Sequence, residues 1–272
     1  MIKPIFTAHD HKYQSKLGTY TSVTTLLHLF EPKKDFDEIA KKYVDKRTEA
    51  ELIAELSFKY HIPLENVYNL VKEVGGYVAV KKIWKDENIR ACEDGTAEHL
   101  KKEKLVLSKQ SFKTKSGNVV PLGMDTTPVY DLSKLEDGVY SELLIWNNNL
   151  MIAGQADLVL IETINGVRYC RILDYKTNKV IKDYNYVNKS NGKKVINEHL
   201  LYPLDNYCNC NYWLYQFQLN IYAWLLGQYG FSFGGGVIIH ITENDKKYPL
   251  LDLQNEVGLL MKHWEDVRNK VS

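Results

Sequence analysis

Three side chains in the run GQADLVLIETINGVRYCRILDYKT, from Gly154 to Thr177, are of types that can do chemistry together: Asp157, Asp174 and Lys176. Side chains two apart on a strand share a face, so Asp174 and Lys176 project together while Tyr175 points away. Asn165-Gly166 suits a type I′ hairpin turn, whose two central residues both take positive φ. Asp157 and Asp174 each lie eight residues from that turn. A hairpin closed there sets the two acids almost opposite each other. Paired carboxylates repel unless something positive lies between them, and a divalent cation is the simplest such thing.

The flanking pattern supplies the elements that must hold these groups. Tyr140 to Trp146 and Leu150 to Ile161 read as strands joined through Asn147-Asn148-Asn149, and Arg168 to Leu173 as the strand that follows the hairpin turn. Trp213 to Gln228 is expected to be a helix with Leu214, Phe217, Ile221 and Leu225 on one stripe. On that helix Gln218 and Tyr222 sit one turn apart and share a face. Gly236 to Thr242 reads as a buried strand and Leu253 to Lys270 as an amphipathic closing helix. Upstream, residues 1 to 20 are expected to be extended, and Ser22-Val23-Thr24 to start a helix, its hydroxyls accepting from free first-turn amides. Asp35 to Asn88 is helical in pattern, broken at Thr48, at Ile62-Pro63 and at Gly75-Gly76. Asp94-Gly95-Thr96 is expected to open a further helix running to about Leu107, with Val119 to Met124 an edge strand.

Composition sets bounds. Apolar residues make up 44% and charged residues 25%, ordinary values for a folded chain. The formal net charge is +1, so any polyanion site must be local. The four cysteines, Cys92, Cys170, Cys208 and Cys210, show no disulfide framework, and neither a signal peptide nor a membrane-length apolar run is read, so an intracellular location and no membrane partner are expected. Lys182 to Lys194, KDYNYVNKSNGKK, is basic and rich in Tyr and Asn. It suits a substrate-side loop, where lysines meet phosphates and rings meet bases, and equally a solvated loop.

In their order along the chain these residues resemble the PD-(D/E)XK nuclease superfamily, in particular its RecB-like branch. Asp174-Tyr175-Lys176-Thr177 is similar to that branch's acid-x-Lys strand, and Asp157 to its preceding acid. Gln218-Leu219-Asn220-Ile221-Tyr222 is similar to its Gln-x-x-x-Tyr helix, and Gly95-Thr96-Ala97-Glu98-His99 to its Gly-Thr-x-x-His helix start. Glu142 stands where the branch has a glutamate on the strand before the first acid. Asp-x-Lys alone carries nothing, since Asp10-His11-Lys12 and Asp245-Lys246-Lys247 also occur; the weight lies in five matches in order. The resemblance covers residues 140 to 240 well, 93 to 105 in part, and 33 to 92 hardly at all.

What the resemblance implies is an α/β fold: a restriction-endonuclease-like core of order α-β-β-β-α-β, its mixed central sheet flanked by helices, with an N-terminal helical addition. The expected division is residues 1–92 for the helical part and 93–272 for the core. The implied activity is that of a metal-dependent deoxyribonuclease. Asp157, Asp174, Lys176 and Glu142 would be catalytic, with Mg²⁺ or Mn²⁺ held by Asp157, Asp174, the Tyr175 carbonyl and His99. Lys176 would orient or deprotonate the attacking water, or stabilise phosphoryl charge. Gln218, Tyr222 and Thr177 would meet DNA, as would Ser22 and Thr24, whose helix start is similar to one in mitochondrial genome-maintenance exonucleases of the same superfamily. An exonuclease on single strands or ends is expected, as a monomer; the alternatives are a structure-specific endonuclease and a nucleic-acid-binding module without catalysis. An iron–sulfur cluster, which some members carry, is not expected, because no cysteines follow the Gln-x-x-x-Tyr helix.

Overall fold

The computed structural model describes residues 2–7, 9–10, 12–108, 111–188 and 190–271; the side chains of His99, Glu103, Leu105, Val106, Leu107 and Val271 lie outside that description. The chain forms two compact units, one of residues 33–98 and one of residues 1–32 together with 99–272. This differs from a division at residue 92. Residues 1–32 go with the larger unit because their backbone is hydrogen-bonded into its sheet.

The smaller unit is helical: α1 (Val23–His28) belongs to the larger unit, and α2 (Phe36–Asp45), α3 (Glu49–Tyr60), α4 (Leu64–Val74) and the first part of α5 (Gly76–Leu107) follow. Each break has a local cause. Asp35 caps α2 by accepting from the Asp37 and Glu38 amides, and Thr48 forms a reciprocal capping box with Glu51 at the start of α3. His61, at φ 54°, ends α3 two residues before Pro63. Ala40, Leu52, Leu56, Val67, Val71 and Val80 close a separate small core. Several of its basic residues are matched by acids: Lys42 with Glu38, Lys81 with Asp37, Arg47 with Glu55.

Helix α5 corrects one expectation. It runs unbroken through Asp94-Gly95-Thr96, so no helix starts there. The Thr96 hydroxyl donates back to the Cys92 carbonyl, as a hydroxyl inside a helix does, instead of capping an N-terminus. A single interior glycine costs about 1 kcal/mol, too little to break a helix of this length.

The larger unit is built on a mixed sheet. Its strands are β1 (Ile5–Thr7), β2 (Lys12–Ser15), β3 (Gly18–Ser22), β4 (Ser111–Lys113), β5 (Val119–Met124), β6 (Gly138–Asn147), β7 (Ile152–Ile164), β8 (Val167–Lys176), β11 (Ser232–His240) and β12 (Lys246–Pro249); β9 (Tyr186–Val187) and β10 (Lys194–Val195) form a separate hairpin. β6, β7 and β8 are consecutive antiparallel neighbours, and β11 joins β8 in parallel. β5 lies between β4 and β6 and is not an edge. The turn between β7 and β8 has Asn165 at φ 51° and Gly166 at φ 78°, both positive as a type I′ turn requires. Residues 158 and 173, then 164 and 167, pair across it, which is the expected register.

Helices α1, α6 (Asn211–Gly227) and α7 (Gln254–Val271) share the main core with the sheet, around Trp146, Ile152, Phe217, Ile221 and Leu260. α6 is buried on more than the expected stripe. Gln216 and Asn220 are fully buried because the segment 249–253 runs past them and exchanges backbone hydrogen bonds with their amides. On the opposite face of the sheet Val120, Val139, Leu158 and Tyr175 form a smaller apolar cluster. No helix among the described residues is long and apolar enough to cross a membrane.

Gly166→Ala places a Cβ at positive φ in the turn that sets the β7–β8 register. It is expected to lower unfolding free energy by about 1 kcal/mol in a urea titration.

Candidate active site

β7 is the one strand on which the rest of the site is arranged. Along one edge it pairs with β6; along the other it pairs first with β3, through Ile152 and Ala153, and then with β8 from Leu158 onward. Residues 154–157 lie in the fork between β3 and β8. Asp157 is the last of them. Where a ladder partner would be, its carboxylate accepts from the Tyr175 amide at 2.8 Å. Continuing the register one step past Leu158 and Leu173 brings Asp174 opposite Asp157.

The other neighbour of Asp157 is Glu142. The β6–β7 ladder pairs 141 with 158 and 143 with 156 but omits the pair between, Glu142 and Asp157. Glu142 has φ 47°, a left-handed conformation uncommon for a residue with a side chain, and it is exposed. The local break in β6 turns this carboxylate out of the regular pleat, on the side where Asp157 sits. Its charge contributes to raising Asp157.

Lys176 completes the group. Its ammonium lies 2.6 Å from Asp174 Oδ2, donates to Gln218 Oε1 at 3.1 Å, and stands 4.7 Å from the centre of the Tyr215 ring. Asp174 and Lys176 have side chains only 4% and 14% exposed, so these charges meet in a largely water-excluded place. The ammonium pairs directly with Asp174 Oδ2, an oxygen buried from water. Tyr175, between them, is buried on the other face.

The charges act on one another. Burial and then the neighbouring Asp174 push Asp157 well above the usual carboxylate range, against the opposing pull of Lys176 and the Tyr175 amide. Burial by itself would lower Lys176, but Asp174 and Asp157 outweigh it and hold the amine above its ordinary value. The site thus disfavours charge on Asp157 and favours it on Lys176.

Helix α6 supplies the floor. Gln218 reaches from Lys176 towards Tyr222, its amide 3.5 Å from the phenol oxygen. Tyr222 is only 3% exposed and packs on Gly154; a Cβ there would come within 2.7 Å of the ring. The glycine is what lets the phenol lie under the fork. The phenol is thus buried beneath the fork.

Other expected residues are placed less centrally. Ser22 caps α1 by accepting from the Thr25 amide, Thr24 is exposed on the first turn, and Thr177 is half-buried just past Lys176. Val23, next to Ser22, packs beside Gly154, which brings this helix start to the fork. The side chain of His99 lies outside the described residues, so its expected role as a ligand is without a geometric basis. Among the described residues no group of three His, Cys, Asp or Glu side chains is gathered as a metal cage.

Two participants escaped the sequence. Tyr215 covers Lys176 with its ring and bonds the Asn178 side chain through its hydroxyl. His240, 3% exposed and in register with Lys176 on β11, bonds the Asn178 carbonyl through Nε2. Tyr215 lies three residues before Gln218 and so on its face of α6, a signal available beforehand. His240 had none, because nothing local fixes the register of two parallel strands.

In comparisons with known proteins, no family model matches this chain and no curated protein matches it.

Asp157→Asn keeps an acceptor for the Tyr175 amide and removes the like charge beside Asp174. In the presence of a chelator it is expected to stabilise the fold by on the order of 1 kcal/mol, read as a higher melting temperature. The pH dependence has a definite sign. A carboxyl raised on folding binds more protons in the native state, so its contribution declines as pH rises from the ordinary carboxylate range through the elevated Asp157 value. The variant should lack that decline.

Proposed function

We propose that this chain is a divalent-metal-dependent nuclease with a restriction-endonuclease-like core of the RecB-like kind, acting as an exonuclease on single-stranded DNA or DNA ends. The observation that carries the reading is the meeting of Asp157, Asp174 and Lys176 at the β7 fork, two carboxylates and an amine on consecutive strands. The order α5, β6, β7, β8, α6, β11 supports it as well.

The donor set fits a hard cation. Asp174 and Asp157 are buried side by side with the Lys176 ammonium as a neighbouring cation, and burial and then the like charge of Asp174 drive Asp157 towards protonation. An ion held by Asp157 and Asp174 would relieve that repulsion. Two carboxylates and the Tyr175 carbonyl suit Mg²⁺ or Mn²⁺ retaining several waters better than an ion that needs a full protein cage. When bound, such an ion acidifies water and withdraws charge from a phosphoryl oxygen.

The chain's own groups have separable tasks. Lys176, kept protonated by the acids and aimed by Gln218 and Tyr215, offers a fixed positive charge where negative charge grows on the phosphoryl oxygens. Because the ammonium needs no reorganisation, its effect is largest in the transition state. Glu142, exposed beside Asp157, is placed to hold an outer water.

With end-labelled DNA and Mn²⁺ or Mg²⁺, the wild type should cut and EDTA should stop it. Asp174→Ala and Lys176→Ala should each slow cleavage by about 100-fold or more while binding persists. A wild type that binds DNA but never cuts with either ion would overturn the reading. Linear single strands should be degraded and covalently closed circles spared if ends are required.

A further inference from the structure

The segment that leaves the site directly after Lys176 is built unlike an ordinary loop. Residues 178–198 contain five lysines against two acids, Asp183 and Glu198, in a chain whose formal net charge is only +1. Tyrosines are interleaved with the lysines. The Tyr184 ring has the Lys194 ammonium, which also pairs with the exposed Asp183 at 2.8 Å, 4.8 Å from its centre and that of Lys182 at 5.9 Å. Tyr186, on β9 of the small hairpin, is 47% exposed, and Lys193, across the hairpin from Asn188, is exposed as well.

This segment is fastened to the site by side chains that bond backbone. Asn211, the first residue of α6, accepts from the Lys182 amide at 2.8 Å and donates to the Val180 carbonyl at 2.7 Å. Asn185 accepts from the amides of Asn197 and Glu198 and donates to the Asn209 carbonyl, closing the segment's base. Asn178 is held by Tyr215 and His240, and Tyr215 covers Lys176. From Asn211 to Gln218, which bonds Lys176, the helix rises about 10 Å.

A fixed arrangement of rings and ammonium groups fits one polymer better than others. Base faces stack on tyrosine irrespective of sequence, and lysines follow a phosphate backbone. A duplex hides its base faces, and an acidic peptide has none. We infer that residues 178–188 and 190–198 form a binding surface for single-stranded nucleic acid flanking the scissile bond, with Tyr184 and Tyr186 as stacking platforms and Lys182, Lys193 and Lys194 as phosphate contacts. The placement beside the scissile bond rests on the nuclease reading; the binding surface is testable without it.

The experiment is fluorescence anisotropy of a labelled 20-nucleotide oligo-dT strand and a labelled 20-base-pair duplex, with the full chain in EDTA. Wild type should bind the single strand more tightly than the duplex. Tyr184→Ala and Tyr186→Ala should each weaken single-strand binding by about tenfold, with Tyr184→Phe close to wild type. Lys182→Ala with Lys194→Ala should reduce the slope of log affinity against log salt by about 1.4, and Arg at both positions should restore it. Thermal melts identify a variant that fails to fold, and the exposed Tyr186 and the Phe variant then carry the test. No single-strand binding, duplex binding as tight as single-strand, or wild-type affinity in every folded alanine variant would overturn the inference. Cleavage by the wild type alongside unaltered binding in the variants removes this surface and leaves the nuclease reading; variant-dependent binding with no cleavage under Mn²⁺ or Mg²⁺ does the reverse.

Discussion

The structure depends on an unfavourable juxtaposition, two carboxylates brought together at the end of a ladder with one ammonium to offset them. Asp157 and Asp174 sit one step past the point where β7 and β8 stop pairing, and the Tyr175 amide closes that gap by bonding a side chain instead of a backbone carbonyl. A sheet of uninterrupted pairing would have no room for them. The fork in β7, with β3 on one side of the gap and β8 on the other, is what provides it.

Much of the surrounding architecture serves to keep this group in place. Gly154 lets the Tyr222 phenol lie beneath the fork, Gln218 spans from that phenol to Lys176, and the far side of α6 is tied down by Gln216 and Asn220 to segment 249–253. At the far end of the β7–β8 hairpin the fully buried Glu162 pairs with Arg171 and accepts from Thr114, Ser116 and Asn118. Burial would raise this acid, but hydrogen bonds from Ser116, Thr114 and Arg171 outweigh it and lower it. The contrast with Asp157 is instructive: one buried carboxylate is surrounded by donors and held low, the other lies beside a second carboxylate and is held high.

A second theme is the use of side-chain amides as fasteners. Asn178, Asn185, Asn211, Gln216, Gln218 and Asn220 each bridge segments through bonds to backbone or to a functional side chain. A short polar side chain that both donates and accepts can satisfy irregular backbone where no ladder or helix can. Irregular backbone is abundant here between β8 and α6, the stretch that carries the proposed strand-binding surface.

Local signals in the sequence determined the hairpin and its register, because an Asn-Gly turn and a period of two leave a single alignment for Asp157, Asp174 and Lys176. They likewise determined the helix breaks at Thr48, at Pro63 and at Gly75, each a matter of one cap or one backbone angle. Gly95-Thr96 was misleading, since a glycine and a hydroxyl can sit inside a helix when the turns on both sides continue. Only the tertiary structure decided that β3 shares an edge of β7 with β8, that His240 stands in register with Lys176, that Tyr222 is buried, and that residues 1–32 join the larger unit. Those are pairings between residues far apart in the chain, fixed by which apolar faces bury each other, and no short window of sequence contains both partners.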